Sequence, residues 1–200
     1  RDRSVSRGLG DVYKRQVYQI PHHLGSSCYR QLSTSPSKFE EKKLSHLSKK
    51  GEAFMVDVHN KNVTHRTAVT RGRIKFSNPV AIDQIKTNGN KKGDVLAISR
   101  VAGIMAAKKT SELIPLCHPL SITKIVINLN VDTEANRIDA ECTVECDGKT
   151  GVEMEALTGL QVCLLTVYDM CKAVDKRMMI DNCRLVKKTG GKSGNWSLED

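Results

Sequence analysis

The strongest constraint on what this chain can fold into is a run of strict alternation between Ile138 and Asp147. Ile138, Ala140, Cys142, Val144 and Cys146 alternate with Asp139, Glu141, Thr143, Glu145 and Asp147. Successive side chains of a strand point to opposite faces, so a period of two buries one face and leaves the other wet. Just upstream, Ile125, Ile127, Leu129 and Val131 alternate with Val126, Asn128 and Asn130, and Asp132 to Asn136 supplies a turn. The two runs predict an antiparallel hairpin. A sheet with one apolar face needs helices to cover it, so the hairpin implies helices elsewhere.

The flanking sequence supplies them. Val63 to Phe76, rich in Thr, Val and Arg, reads as extended, and Asn78-Pro79 opens a short helix to Thr87 that Asn88-Gly89-Asn90 breaks. Asp94 to Leu113 carries Val95, Ile98, Ala102, Met105 and Ala106 at helical spacing and predicts a core-packed helix. Pro115 and Pro119 flank Leu116, Cys117 and His118 and prevent helix there. Thr150-Gly-Val-Glu153 fits a capping box that starts a long helix to about Ala173. A last strand is expected over about Met178 to Lys187, ahead of Gly190-Gly-Lys-Ser-Gly194. Antiparallel strands with helices on one face imply an α+β sandwich, expected to span residues 51–188, with residues 189–200 as a Gly-rich tail.

Charge separates the body from what precedes it. The 200 residues carry 32 basic and 22 acidic side chains, a formal net charge of +10, and a basic excess of that size raises nucleic acid as a partner. Residues 1–50 hold 11 Lys and Arg against 4 Asp and Glu, a net of +7, whereas residues 51–200 hold 21 against 18, a net of +3. Residues 12–39 contain no acid but carry Lys14, Arg15, Arg30, Lys38 and several serines, the composition of a mitochondrial presequence. The expectation is therefore a leader over residues 1–50, directing the protein to the mitochondrial matrix; a cytoplasmic protein with an unaddressed tail is the other reading. Gly8 to Gln16 resembles a translated cloning adaptor, so no function is assigned to residues 1–16.

No apolar run reaches the roughly 18 residues of a membrane span, and the expectation is a soluble protein without a membrane partner. The seven cysteines include no CxxC pair, so reduced core thiols are expected and neither a metal nor another cofactor is assigned.

Chemistry concentrates in a few places: Lys92 beside Gly93-Asp94, the Pro-flanked Cys117-His118 pair, Gly148-Lys149-Thr150-Gly151 running into Glu153, Met154 and Glu155, the Tyr168 to Lys172 segment, and the basic tail from Lys187. Neither Gly-Lys-Thr150 nor Gly-Lys-Ser193 is a P-loop, because the required upstream glycine is replaced by Thr143 and Val186. Phosphate binding by side chains stays open, through Arg66, Arg71, Arg73, Lys92 and Lys172. Asp169 and Lys172 are neighbours on a helix face. Lys172 sits in a mostly apolar stretch, so it is expected to be partly desolvated, with a lowered pKa suited to proton transfer. His118 is either a core histidine or a pocket residue, and Glu153 either a helix cap or a pocket carboxylate.

Taken in order, Lys92-Gly-Asp-Val95, Ala102-Gly-Ile104 with Ala106-Ala-Lys108, Leu113 to Leu120, Gly148 to Thr158, Tyr168 to Ala173 and Gly190 to Gly194 resemble the MoaC family of molybdenum cofactor biosynthesis. The resemblance runs from about Phe54 to the C-terminus. It implies a ferredoxin-like α+β fold and the conversion of (8S)-3′,8-cyclo-7,8-dihydroguanosine 5′-triphosphate to cyclic pyranopterin monophosphate, with diphosphate released. It also implies a hexamer built as a trimer of dimers, with active sites at the dimer interface. On matching positions, Lys92 and Lys172 become the catalytic lysines, Asp169 the acid/base carboxylate, Leu116, Cys117, His118, Met154 and Glu155 the pocket lining, and Arg66 a phosphate ligand. The competing reading is a ferredoxin-like nucleic-acid-binding module, which needs aromatic side chains on its sheet to stack bases.

Overall fold

A computed structural model of the chain describes residues 50–87, 89 and 92–198. The leader and adaptor expectations fall on residues outside this range, as do Asn88 and Asn90 of the expected helix break. The elements run β1 (Thr64–Lys75), α1 (Val80–Lys86), α2 (Val95–Lys108), α3 (Thr110–Leu113), β2 (Ile122–Asp132), β3 (Arg137–Gly148), α4 (Glu153–Cys171), β4 (Met179–Thr189) and β5 (Trp196–Ser197). The sheet order is β2-β3-β1-β4-β5, and every neighbouring pair is antiparallel. Without β5 this is the split β-α-β arrangement of a ferredoxin-like sandwich.

The alternation that predicted β3 is realised in full. Ile138, Ala140, Cys142, Val144 and Cys146 are all buried, while Asp139, Glu141 and Glu145 face outward in pairs with Arg137, Arg71 and Lys124 at 2.8–3.0 Å. The hairpin turn depends on Asn136, the turn's left-handed residue at φ 49°, and on Asp132, whose Oδ1 accepts from the Ala135 N–H at 2.9 Å. Strands β1 to β4 carry no Phe, Tyr or Trp, and their one imidazole, His65, pairs with Asp147, so the open face lacks the aromatic platform on which such a module stacks bases.

Three helical expectations need correction. The single helix expected from Asp94 to Leu113 is two, because Thr110 Oγ1 takes the Ala107 carbonyl at 3.0 Å and the chain turns at Lys109. Its buried side is only partly the expected one: Val95 and Ala106 face inward as expected, together with Ser99, Gly103 and Ala107, while Ile98 and Met105 are exposed. The capping box is not formed either. The residue before α4 is Val152, with no side-chain cap, and Glu153 directs its carboxylate to Lys188 instead. The glycine-rich run forms the turn from β4 into the short β5, a pairing that sequence reasoning missed.

Small residues face inward on α2 because α2 and α4 cross in close contact. A Cβ on Gly103 would stand 2.7 Å from the Gly159 carbonyl oxygen and 2.9 Å from Cys163 Cβ. Beyond α4 the buried Asp175 accepts from Ser77 N–H at 2.6 Å, Ser77 Oγ at 2.7 Å and Arg177 N–H at 2.9 Å, tying the helix end to the start of α1.

Gly103→Ala tests the crossing. Helix propensity favours alanine by about 1 kcal/mol, but the collision with backbone costs about 1–3 kcal/mol. A net loss of stability is expected, read as a lower urea midpoint; a raised midpoint would mean the helices do not meet as described.

Candidate functional site

Pro115 and Pro119 hold the segment between α3 and β2 out of helix, and the Cys117 N–H closes a turn on the Ile114 carbonyl at 3.1 Å. This turn lies against the first turn of α4. Leu116, Cys117 and His118 therefore line a cavity of about 240 Å³ together with Glu153, Met154 and Glu155. All five residues expected to line a pocket line this cavity, and His118 is half-buried at its wall rather than in the core. Glu155 is 4% exposed, and burial pushes its carboxyl pKa up, with the Glu153 charge adding to the effect. Burial, then the nearby Glu155, likewise raises Cys117, which keeps it a thiol rather than a nucleophilic thiolate.

A second cavity of about 390 Å³ adjoins the first, sharing Lys61, Thr150, Gly151 and Glu153, and is lined by the cations Lys61, Arg66, Lys149, Lys188 and Lys192. Arg66 projects from β1 and donates from Nε to the Gly148 carbonyl at 2.8 Å. Its guanidinium lies where a Cβ on Gly191 would be, and Gly190 packs on the His65 carbonyl; both glycines have positive φ, at 76° and 89°. Only glycine fits this turn without strain or collision. The Lys188 Nζ bonds Glu153 Oε1 at 3.0 Å across the cavity, joining β4 to the start of α4. Sequence reasoning singled out Arg66 as a phosphate ligand, and the basic tail without a role, but missed Lys61, which sits in irregular chain with no pattern to mark it.

The two lysines expected to be catalytic gather elsewhere. Lys92 precedes the N-cap Asp94 of α2, whose carboxylate accepts from the Ala97 N–H at 2.9 Å. Lys92 Nζ reaches the Asp169 carbonyl at 2.7 Å and Asp169 Oδ2 at 3.1 Å, and Lys172 Nζ pairs with Asp169 Oδ1 at 2.6 Å. Hydrogen bonds from Lys172 and then Lys92 hold the Asp169 carboxyl below its usual range. The Asp169 partner raises Lys172 above the ordinary lysine value. The expected lowering by desolvation is thus reversed. Lys172 is the C-cap of α4, and while Met170 and Cys171 turn into the core its side chain stands 56% exposed.

The chain does not bring the two groups together. Asp169 follows Glu153 by 16 residues on one helix, about 24 Å at 1.5 Å per residue. Among the described residues no three His, Cys, Asp or Glu side chains converge as metal ligands. The Cys142 and Cys163 thiols are in the core, pushed up to about 12 by burial.

Asp169→Asn is expected to return Lys172 to the ordinary lysine range, because the raising partner is removed while the lysine stays exposed. Titration of the Lys172 Nζ resonance by NMR checks this; an unchanged midpoint would show that the pair is not coupled.

The sequence profile described as the MoaC family matches residues 55–191. The chain is 55% identical over 157 residues to the cyclic pyranopterin monophosphate synthase of Chloroflexus aggregans, covering 78% of this chain and 94% of the relative. It is 54% identical over 158 residues to proteins of the same name from Parvibaculum lavamentivorans and Clostridium perfringens, covering 79% of this chain and 98% and 99% of those relatives. With the profile spanning more than half of its residues, and such identity over nearly the full length of those relatives, the chain belongs to the MoaC family.

Proposed function

We propose that this protein converts (8S)-3′,8-cyclo-7,8-dihydroguanosine 5′-triphosphate to cyclic pyranopterin monophosphate, releasing diphosphate, a step in molybdenum cofactor biosynthesis. The observation that carries this reading is the joined pair of cavities, one cationic and one holding a buried carboxylate. A triphosphate suits the first and a polar heterocycle the second. Closing the cyclic phosphate forms a bond from a sugar hydroxyl to the α-phosphorus and breaks the bond to the β-phosphate oxygen. Cations placed where negative charge develops lower that barrier. Arg66 is the phosphate ligand on the sheet, and Leu116, Cys117, His118, Met154 and Glu155 enclose the ring system.

Building the pterin ring requires proton transfers at opening and re-closure. Lys172 beside Asp169 is the shuttle, and Lys92 orients and protonates. Glu153 faces the cleft and pairs with Lys188 instead of capping α4, which supports a part for its carboxylate in the reaction. Since the lysine cluster and the cleft stand at opposite ends of α4, a complete site needs a second copy running the other way. A two-fold dimer supplies it, assembled further into the hexamer. The exposed Ile98, Val101, Met105 and Leu165 on the outer sides of α2 and α4 give such a partner an apolar surface. The acid-free stretch 12–39 supports a mitochondrial matrix destination, which a fluorescent fusion of residues 17–50 checks.

Purified protein given the cyclised triphosphate is expected to release diphosphate; no release would sink the proposal. Lys172→Arg keeps the charge but not ready proton transfer, and turnover is expected to fall about 10²–10⁴-fold. The shared site is tested by co-assembling Lys172→Arg with His118→Ala. Each mixed dimer then has one intact site, so activity is expected to recover to about a quarter of the unsubstituted level. A mixture as inactive as its parents would rule the shared site out.

A further inference from the structure

One wall of the cleft belongs to neither the sheet nor the helices. Residues 54–63 have no regular structure and are mostly exposed, yet Val56 and Val58 line the 240 Å³ cavity and Lys61 lines both. The segment shapes itself locally: the His59 N–H donates to Asp57 Oδ1 at 2.7 Å, and the Lys61 N–H to the Val58 carbonyl at 3.1 Å. It is tied to the body by Lys149, a half-buried residue between β3 and α4, whose Nζ donates to the His59 carbonyl at 2.8 Å.

Resting on the reaction proposed above, we infer that residues 56–61 form a strap over the cleft and that Lys149 is its latch. Lys149 is a positioning residue that acts through Lys61. Ordering an irregular segment of this kind has an entropic cost in every residue, and a charge-assisted hydrogen bond to a backbone carbonyl offsets part of it. With the latch, the cleft is built before substrate arrives. Without it, the strap samples open positions, and apparent affinity falls in proportion to the fraction still closed. Bound substrate restores the closed strap, so the loss appears in KM and not in kcat.

The test uses the full chain with Lys149→Met and Lys149→Arg. The methionine variant removes a cation that lines the cleft as well as the latch, so KM is expected to rise about tenfold or more, and strap cleavage measured without ligand separates the latch from the lost charge. Arginine can still donate to the carbonyl and is expected to restore most of the affinity. A readout independent of turnover is tryptic cleavage after Lys61, followed by mass spectrometry with and without diphosphate. Cleavage is expected to be slow in the unsubstituted and arginine proteins, fast in the methionine variant, and slowed again by diphosphate. Equal cleavage in all three proteins would overturn the latch. So would an arginine variant as impaired as the methionine one, or a lost kcat at constant KM. If the unsubstituted protein fails to turn over but cleavage follows the expected order, the reaction falls and the strap stands.

Discussion

The rest of the molecule depends on the contact between Gly103 and Gly159, where α2 and α4 meet with no side chain between them. Because the helices run antiparallel at that distance, the start of α2 lies beside the end of α4 and carries Lys92 to Asp169. At the other end, the turn after α3 lies against the start of α4 and places Cys117 and His118 near Glu155. A wider crossing would loosen both groups at once. Dispersion and burial hold the contact, and these fade steeply with separation.

Charge follows a similar logic of place rather than amount. The net +10 suggests a nucleic-acid partner, but most of the excess lies in residues 1–50. Within the body, the open sheet face pairs its charges, as Arg71 does with Glu141 and Lys75 with Asp181 at 2.7 Å. What remains concentrated is the cationic cleft, where Gly190 and Gly191 let the β4–β5 turn close over Arg66. A few cations focused on one concave surface bind a polyphosphate better than the same charges spread over a flat one.

Much of the fold was legible because its signals are local. Period two along Ile138 to Cys146 depends only on strand geometry, and the Pro-flanked Cys117-His118 segment only on the proline ring. The helix faces were not legible in this way. Hydrophobicity placed Ile98 and Met105 inside, whereas at the close crossing α2 presents Gly103 and Ala107 to α4. The capping box failed for a related reason: Glu153 has a stronger partner in Lys188, 35 residues away, than in its own helix terminus. Lys172 was misjudged because neighbours in sequence were taken for neighbours in space.

The sequence by itself determined the α+β architecture, the hairpin, the family and the identity of most reactive side chains, since these follow from residue type and short-range spacing. Tertiary structure alone decided which of those side chains meet. It joined Lys61, Arg66 and Lys188 into one cavity and held the lysine cluster a helix length away. Burial, and with it the pKa of Glu155, is a property of the atoms that surround a group, and those arrive from distant parts of the chain.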